Sequence, residues 1–370
     1  MEKGVIRLEA VTKRYGETVA VNGLSIEIGD GEVCTLIGPS GCGKTTTLRM
    51  INRLIEPTSG RIFIDGQDTA TIDAGKLRLS IGYAIQSVGL FPHMTVFDNI
   101  AVVPRLLRWE KRRIAARVDE LLERVGLKPA EYAGKYPNQL SGGEAQRIGV
   151  ARALAADPPI MLMDEPFGAV DPLTRERLQT QFIHIQQEMK KTIVLVTHDL
   201  DEAIRLADRI AIMNSGRLVQ YDTPEVILSR PVNKFVRDFV GADRALKRLS
   251  RMSIRDFIKP AVTVNVNQPV KEAVESTRGY RWLWVVDDNQ RLTGWVDRNI
   301  LSQSPSIKEA MNEGNAGDNI ALSNGATLRE ALSRMLGLGF KHIPVVDDRQ
   351  RLVGEVAPGD IEAATAEGEG

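Results

Sequence analysis

Residues 38–46 read Gly-Pro-Ser-Gly-Cys-Gly-Lys-Thr-Thr. An apolar run, Val33 to Ile37, precedes them, and a helical pattern, Thr46 to Leu54, follows. Strand, glycine-rich turn and helix in that order make a phosphate-binding loop. Its backbone N–H groups turn inward and cradle phosphate oxygens, aided by the positive end of the helix. Gly38, Ser40, Gly41, Cys42, Gly43, Lys44, Thr45 and Thr46 are therefore the expected nucleotide contacts. Lys44 supplies a point charge, and the Thr45 hydroxyl is suited to ligate Mg²⁺.

Outward from this loop, composition narrows the class. The 370 residues are 43% hydrophobic and 26% charged, ordinary for a water-soluble chain long enough for two or three cores. The formal net charge is zero, so no bulk basic field invites nucleic acid. Cys34 and Cys42 are the two cysteines, one of them inside the loop, where a disulfide would disturb the backbone. Reduced thiols in a cytoplasmic setting are expected. No apolar stretch reaches the roughly 18 residues that cross a bilayer, and the N-terminus leads into a strand pattern without a signal segment. A membrane role would run through a partner.

Residues 1–240 alternate short apolar strands (Val33–Ile37, Ile160–Met163, Thr192–Thr197) with helical stretches (Gln146–Ala156, Asp201–Ala207), which predicts an α/β domain. Between them, Arg105 to Val125 is charged and amphipathic with no strand pattern. A helical insert over about 88–158 is expected, with Pro137 and the Ser141-Gly142-Gly143 turn in its later part. A basic helical linker, 241–251, leads to an internal repeat. Tyr280-Arg-Trp-Leu-Trp-Val-Val-Asp-Asp-Asn-Gln-Arg-Leu-Thr-Gly294 aligns with Phe340-Lys-His-Ile-Pro-Val-Val-Asp-Asp-Arg-Gln-Arg-Leu-Val-Gly354, 60 residues on. Two copies of one small α/β unit, 252–305 and 306–365, are expected to pack as a pair.

Ile-Met-Leu-Met-Asp-Glu-Pro, 160–166, ends a strand in two carboxylates at the sheet edge that carries the phosphate loop. Asp164 is suited to hold Mg²⁺ through water, and Glu165 to orient an attacking water. Leu-Ser-Gly-Gly-Glu-Ala-Gln-Arg, 140–147, opens a helix with two glycines whose N–H donors are free for an anion. With these motifs in order, residues 1–240 resemble the ATP-binding cassette (ABC) family, whose signature is this last stretch. The resemblance implies further roles. Tyr15 would stack on adenine, and Gln86 would begin a loop that contacts nucleotide and Mg²⁺. Asp171, in Val170-Asp171-Pro172, would contact a dimer partner's site, and His198 the γ-phosphate. Lys44, Gln86, Glu165 and His198 would be catalytic, and Thr45, Gln86 and Asp164 would serve the metal. Two copies would sandwich two ATPs, each between one copy's phosphate loop and the other's Ser141, Gly142 and Gly143. Glu144 departs from the commoner Gln of the signature, outward of the glycine pair.

The repeat resembles a tandem pair of cystathionine-β-synthase-type (CBS) domains, an α+β architecture. The family's ribose-binding pattern is incomplete in both copies. Gly294 to Ile300 lacks the hydroxyl and the final Asp, while Gly354 to Asp360 keeps Asp360 but has Ala357 for the hydroxyl. Trp282, Trp284 and Trp295 cluster in the first copy, as packing residues or as a platform for a ligand.

A cassette followed by such a pair resembles the ATP-hydrolysing subunit of an osmoprotectant importer, of the glycine betaine, carnitine or choline class. That implies ATP and Mg²⁺ as cofactors, a homodimer, transmembrane permease subunits, an indirectly engaged solute-binding protein, and a peripheral place on the cytoplasmic face of the plasma membrane. The pair would regulate transport. An importer ATPase for another small solute, such as an amino acid, and a non-transport cassette ATPase stay open at this point.

Overall fold

The computed structural model describes residues 5–85, 89–168, 171–312 and 320–366. The chain divides into two compact units, Met1–Gly241 and Ala242–Gly370.

The first unit is built on a six-stranded sheet. Its strand order is Arg217–Asp222, Arg209–Asn214, Val33–Ile37, Thr192–Val196, Ile160–Asp164, Ile81–Ala84. All neighbours are parallel except the first pair. Every residue of Val33–Ile37, Ile160–Asp164 and Thr192–Val196 is buried, as expected of strands covered on both faces. Val33–Ile37 lies centrally, so the loop after it opens at the carboxyl edge. Asp164 and the residues after Val196 end at that same edge, because their strands run parallel to it.

A second, antiparallel sheet orders Thr18–Ile28, Ile6–Tyr15, Ser59–Ile64 and Gln67–Asp68. Ile6 and Leu8 are buried while Arg7 and Glu9 are exposed, the alternation of a sheet with one wet face. Its apolar face shares a core with Cys34, Leu36, Leu48 and Leu162. Both cysteines are buried and free.

Among the described residues, the segment between Ile81–Ala84 and Ile160–Asp164 holds no strand. The charged stretch from 105 to 125 divides between two helices, Val96–Leu106 and Lys111–Arg124. The latter buries Ile114, Val118, Leu121 and Leu122, one face of a helix, against Ile148, Ala151 and Leu154 of the Gly142–Leu154 helix.

The second unit holds two three-stranded sheets built alike. Thr263–Asn265 runs parallel to Trp282–Val286, which pairs antiparallel with Leu292–Asp297. Leu322–Ser323, Ile343–Val346 and Leu352–Val356 repeat the pattern. The turns match too. Asp287 Oδ1 accepts from the N–H groups of Asn289 and Arg291, and Asp347 Oδ1 from those of Arg349 and Arg351, all at 2.8–2.9 Å. Gln290 and Gln350 both adopt left-handed φ, 61° and 62°. The copies join there: Leu292 N–H donates to the Gln350 carbonyl at 3.2 Å, and Leu352 N–H to that of Gln290 at 2.9 Å. The basic segment read as a linker forms a helix, Arg244–Leu249, and Leu249 enters this unit's core beside Ile254, Leu328 and Ile343.

Candidate nucleotide site

Ala20, Ser40, Gly41, Gly43, Lys44, Thr45, Thr46, Glu165 and His198 line one cleft at the carboxyl edge of the parallel sheet. The loop's glycines are sterically required at two points. A Cβ on Gly38, φ +152°, would collide with the Met213 carbonyl and lie 2.9 Å from Cys42 Sγ. One on Gly43, φ +104°, would collide with the Ala20 carbonyl and lie 3.0 Å from Val21 Cγ2. Gly41, also of positive φ, faces open space.

Lys44 is 8% exposed, and its ammonium is turned to backbone carbonyls. It donates to the carbonyls of Gly38 at 2.7 Å and Pro39 at 3.1 Å, with Cys42 Sγ at 3.7 Å. Among the described residues no carboxylate forms an ion pair with it. A buried cation served only by neutral groups beside a cleft fits an anionic ligand such as a phosphate chain. Thr45 Oγ1 donates to Asp164 Oδ1 at 3.1 Å. Burial pushes the Asp164 carboxyl above its ordinary value, against the pull of that hydrogen bond. A hydroxyl and a carboxylate side by side are the hard oxygen donors that suit Mg²⁺.

Glu165 leaves the strand with φ +47°, a left-handed backbone in a non-glycine residue. Such strain of about 1–3 kcal/mol persists where the surroundings hold it and clusters at working sites. Here the Glu165 N–H donates to the Val196 carbonyl at 2.9 Å, and its carbonyl accepts from Gly168. Its Oε1 lies 3.3 Å from His198 Nδ1.

Beneath His198 lies a group that motif reading passes over. Thr197 Oγ1 donates to Glu202 Oε2 at 2.5 Å and accepts from the Asp199 N–H at 3.0 Å. Glu202 is 5% exposed, and its Oε1 has no hydrogen-bond partner among the described residues. Burial pushes its carboxyl up to about 7, opposed chiefly by the Thr197 hydrogen bond. A helical Asp-Leu-Asp-Glu start carries no sign that its last acid turns inward.

Ser141, Gly142 and Gly143 do not line this cleft. They open the Gly142–Leu154 helix, with Ser141 and Gly142 exposed. Glu144 fixes them. It accepts from the Ser141 N–H at 2.7 Å, the Ser141 hydroxyl at 2.9 Å and the Tyr132 hydroxyl at 2.5 Å. Those bonds, Tyr132 first, hold its carboxyl down at about 2. Tyr15 is half-exposed at the end of its strand, with Lys13 Nζ 5.2 Å from its ring centroid. It lies outside the cleft lining, although the next strand supplies Ala20. Asp171 is exposed and also outside the lining. Gln86 and Val170 lie outside the described residues.

Comparison with known proteins places the chain in a family. Residues 21–168 match the ABC transporter family, and residues 254–302 and 307–367 match the CBS domain. The glycine betaine/carnitine/choline transport ATP-binding protein of Bacillus subtilis is 46% identical over 361 residues, 95% of this chain and 94% of its own. The osmoprotectant import ATP-binding protein of Salmonella typhimurium is 45% identical over 367 residues, with the same shares. Among solved structures, a dimeric post-hydrolysis state of an ATP-binding cassette bound to ADP and Pi is similar at TM-score 0.54 and 34% identity. It covers 59% of this chain and 98% of that one. A Clostridium perfringens cassette from an ABC transporter complex matches at TM-score 0.57 and 28% identity, covering 62% and 92%.

Proposed function

The chain belongs to the ABC transporter family of ATP-binding proteins, and from that membership we propose that it is the ATP-hydrolysing subunit of an importer for quaternary-amine osmoprotectants. One observation supports this above the others. The kinship spans both units, so the repeat that follows the cassette is shared with relatives named for glycine betaine, carnitine and choline transport.

Within the cleft, the residues divide the work. The loop amides and Lys44 hold the phosphates of ATP. Thr45 and Asp164 hold Mg²⁺, which when bound screens charge on the transferring phosphoryl group. Glu165 orients the attacking water and accepts its proton, and His198 keeps Glu165 in place and meets the γ-phosphate. From outside the cleft's lining, Tyr15 serves the adenine, and Gln86, which lies outside the described residues, serves the metal.

Ser141, Gly142 and Gly143 stand away from their own chain's cleft, which suits donors meant for a second copy. Two chains therefore close over two ATPs, with Asp171 near the joint. Among the described residues no helix is long and apolar enough to cross a membrane. The work reaches the solute through permease subunits, with this chain on their cytoplasmic face. The second unit regulates that transport.

Uptake of labelled glycine betaine into vesicles carrying the chain and its permease tests the reading. Uptake should need ATP and vanish in Lys44→Ala, whose affinity for ATP should also fall in calorimetry. ATP-dependent uptake of an amino acid in place of glycine betaine would overturn the solute assignment. ATP affinity unchanged in Lys44→Ala would overturn the role of Lys44.

A further inference from the structure

In the second unit, Trp282, Trp284, Trp295, Phe340, Lys341 and His342 line one cleft. The rings do not stack flat. Trp295 is inclined 68° to Trp282 and 81° to Phe340, with centroids 5.2 and 5.4 Å apart. An inclined pair leaves at least one π-face uncovered by its neighbour, and a π-face attracts a cation. The Arg281 guanidinium, outside the lining and paired with Asp297, shows such a contact: its carbon is 4.9 Å from the Trp282 ring centroid.

The duplication explains what the cleft contains. Trp282 and Trp295 stand at the positions that His342 and Glu355 occupy 60 residues later. Trp295 faces Trp284 across the first sheet, as Glu355 faces Pro344 across the second. One copy has become the aromatic half of the site and the other the charged half.

Glu355, 17% exposed, sits behind the lining. One oxygen accepts from Trp284 Nε1 at 2.7 Å, and the other lies 2.8 Å from His342 Nδ1. The negative end of the 11-residue Leu328–Leu338 helix also reaches the cleft, through Leu338 and Gly339. Glu355 and the helix end draw a cation toward the rings, away from Lys341, while the carboxylate's oxygens are already engaged. A primary ammonium brings three N–H donors that would compete for them. A fully methylated ammonium brings none and presents methyl groups to the rings. Lys341, exposed at the edge, offers a charge for an anionic end.

We propose that this cleft binds a small zwitterion carrying a fully methylated ammonium at one end and a carboxylate at the other, the class of glycine betaine and carnitine. The binding rests on the cleft's own chemistry. Its use, letting the second unit gauge solute already accumulated, rests on the importer reading above.

Calorimetric titration of the purified full-length chain tests it with two probes. Glycine betaine has the required charge. 3,3-Dimethylbutanoate keeps the shape and the carboxylate but replaces nitrogen with carbon. Saturable binding of glycine betaine is expected, with the carbon analogue weaker by about tenfold or more. Trp282→Ala should weaken glycine betaine by about tenfold, and Trp282→Phe by less. Trp282 is half exposed, so both variants should keep the wild-type melting temperature and ATPase rate. No binding of glycine betaine, equal binding of both probes, or full affinity in Trp282→Ala would each overturn the proposal. Failure of the importer reading shows separately, as absent uptake in vesicles with the titrations unchanged.

Discussion

Glu165 is held in a left-handed backbone between the Val196 carbonyl and Gly168, with His198 at 3.3 Å. A carboxylate fixed there is expected to matter to turnover more than to binding. Glu165→Gln keeps the shape and removes the base. It should bind ATP as the wild type does while kcat falls about 10²- to 10⁴-fold, and turnover within a few-fold of wild type would dismiss the role. Glu202, 5% exposed, makes a different prediction. Its folded pKa, about 7, lies above the ordinary 4.5, so the fold favours the protonated form. Its contribution is fully present below pH 4.5 and is lost as pH rises to about 7, on the order of 3 kcal/mol in all. Glu202→Gln should flatten that part of the stability profile in urea melts at stepped pH. A profile as steep as the wild type's would refute it. The two residues also mark what sequence reading reaches. Glu165 is legible because it directly follows the strand-ending Asp164 in the chain, although its contacts with Val196 and His198 are not legible. Glu202 is not, because its environment exists only once the helix start folds beneath Thr197.

Among the elements, the Gly142–Leu154 helix depends on its first turn. Ser141 and Glu144 bond reciprocally, and Tyr132 adds a third contact from outside the helix. Glu144→Ala should cost about 1 kcal/mol and lower Tm by roughly 2–4 °C. Glu144→Gln should restore only part of it, because an amide oxygen still accepts from the Ser141 N–H but lacks the carboxylate's charge. Differential scanning calorimetry decides, and a Gln variant as unstable as the Ala variant would show that the charge alone matters. The acid's pKa, held near 2, adds a sign: its stabilisation is present above the usual carboxylate range and fades as pH falls toward 2. Continuous apolar runs are readable, as with the buried strands at 33–37, 160–164 and 192–196. The antiparallel sheet of Ile6–Tyr15 and its neighbours was harder, because alternation marks a strand without naming its partners. The short Thr263–Asn265 and Leu322–Ser323 strands, three and two residues long, fall below any pattern.

For the whole molecule, the two units have separate cores, and the boundary falls at Gly241. The basic helix after it belongs with the second unit, since Leu249 is buried there. A chain ending at Gly241 should keep its ATPase rate, whereas a cut within Arg244–Leu249 would leave that apolar stump exposed. Weak surface charge contacts are sensitive to salt, because the Debye length shrinks from about 10 Å at 0.1 M to about 3 Å at 1 M. Vesicle uptake across an internal salt series should therefore respond differently with the shortened chain. Superimposable curves would remove the regulatory role from residues 242–370.

The joint between the repeats reaches further than symmetry. Leu292 and Leu352 each begin the outer strand of a sheet, and each donates to the turn of the other copy. Neither half is a finished object, since removing one strips a partner from the start of the other's outermost strand and leaves an adhesive rim. Shortening the protein inside 252–365 should thus yield insoluble material, while ending the chain at Gly241, which removes both halves and the helix before them, should yield soluble protein. Duplication in this fold behaves as a ratchet: once the second copy had sealed the first, evolution could discard the pair but no longer either member.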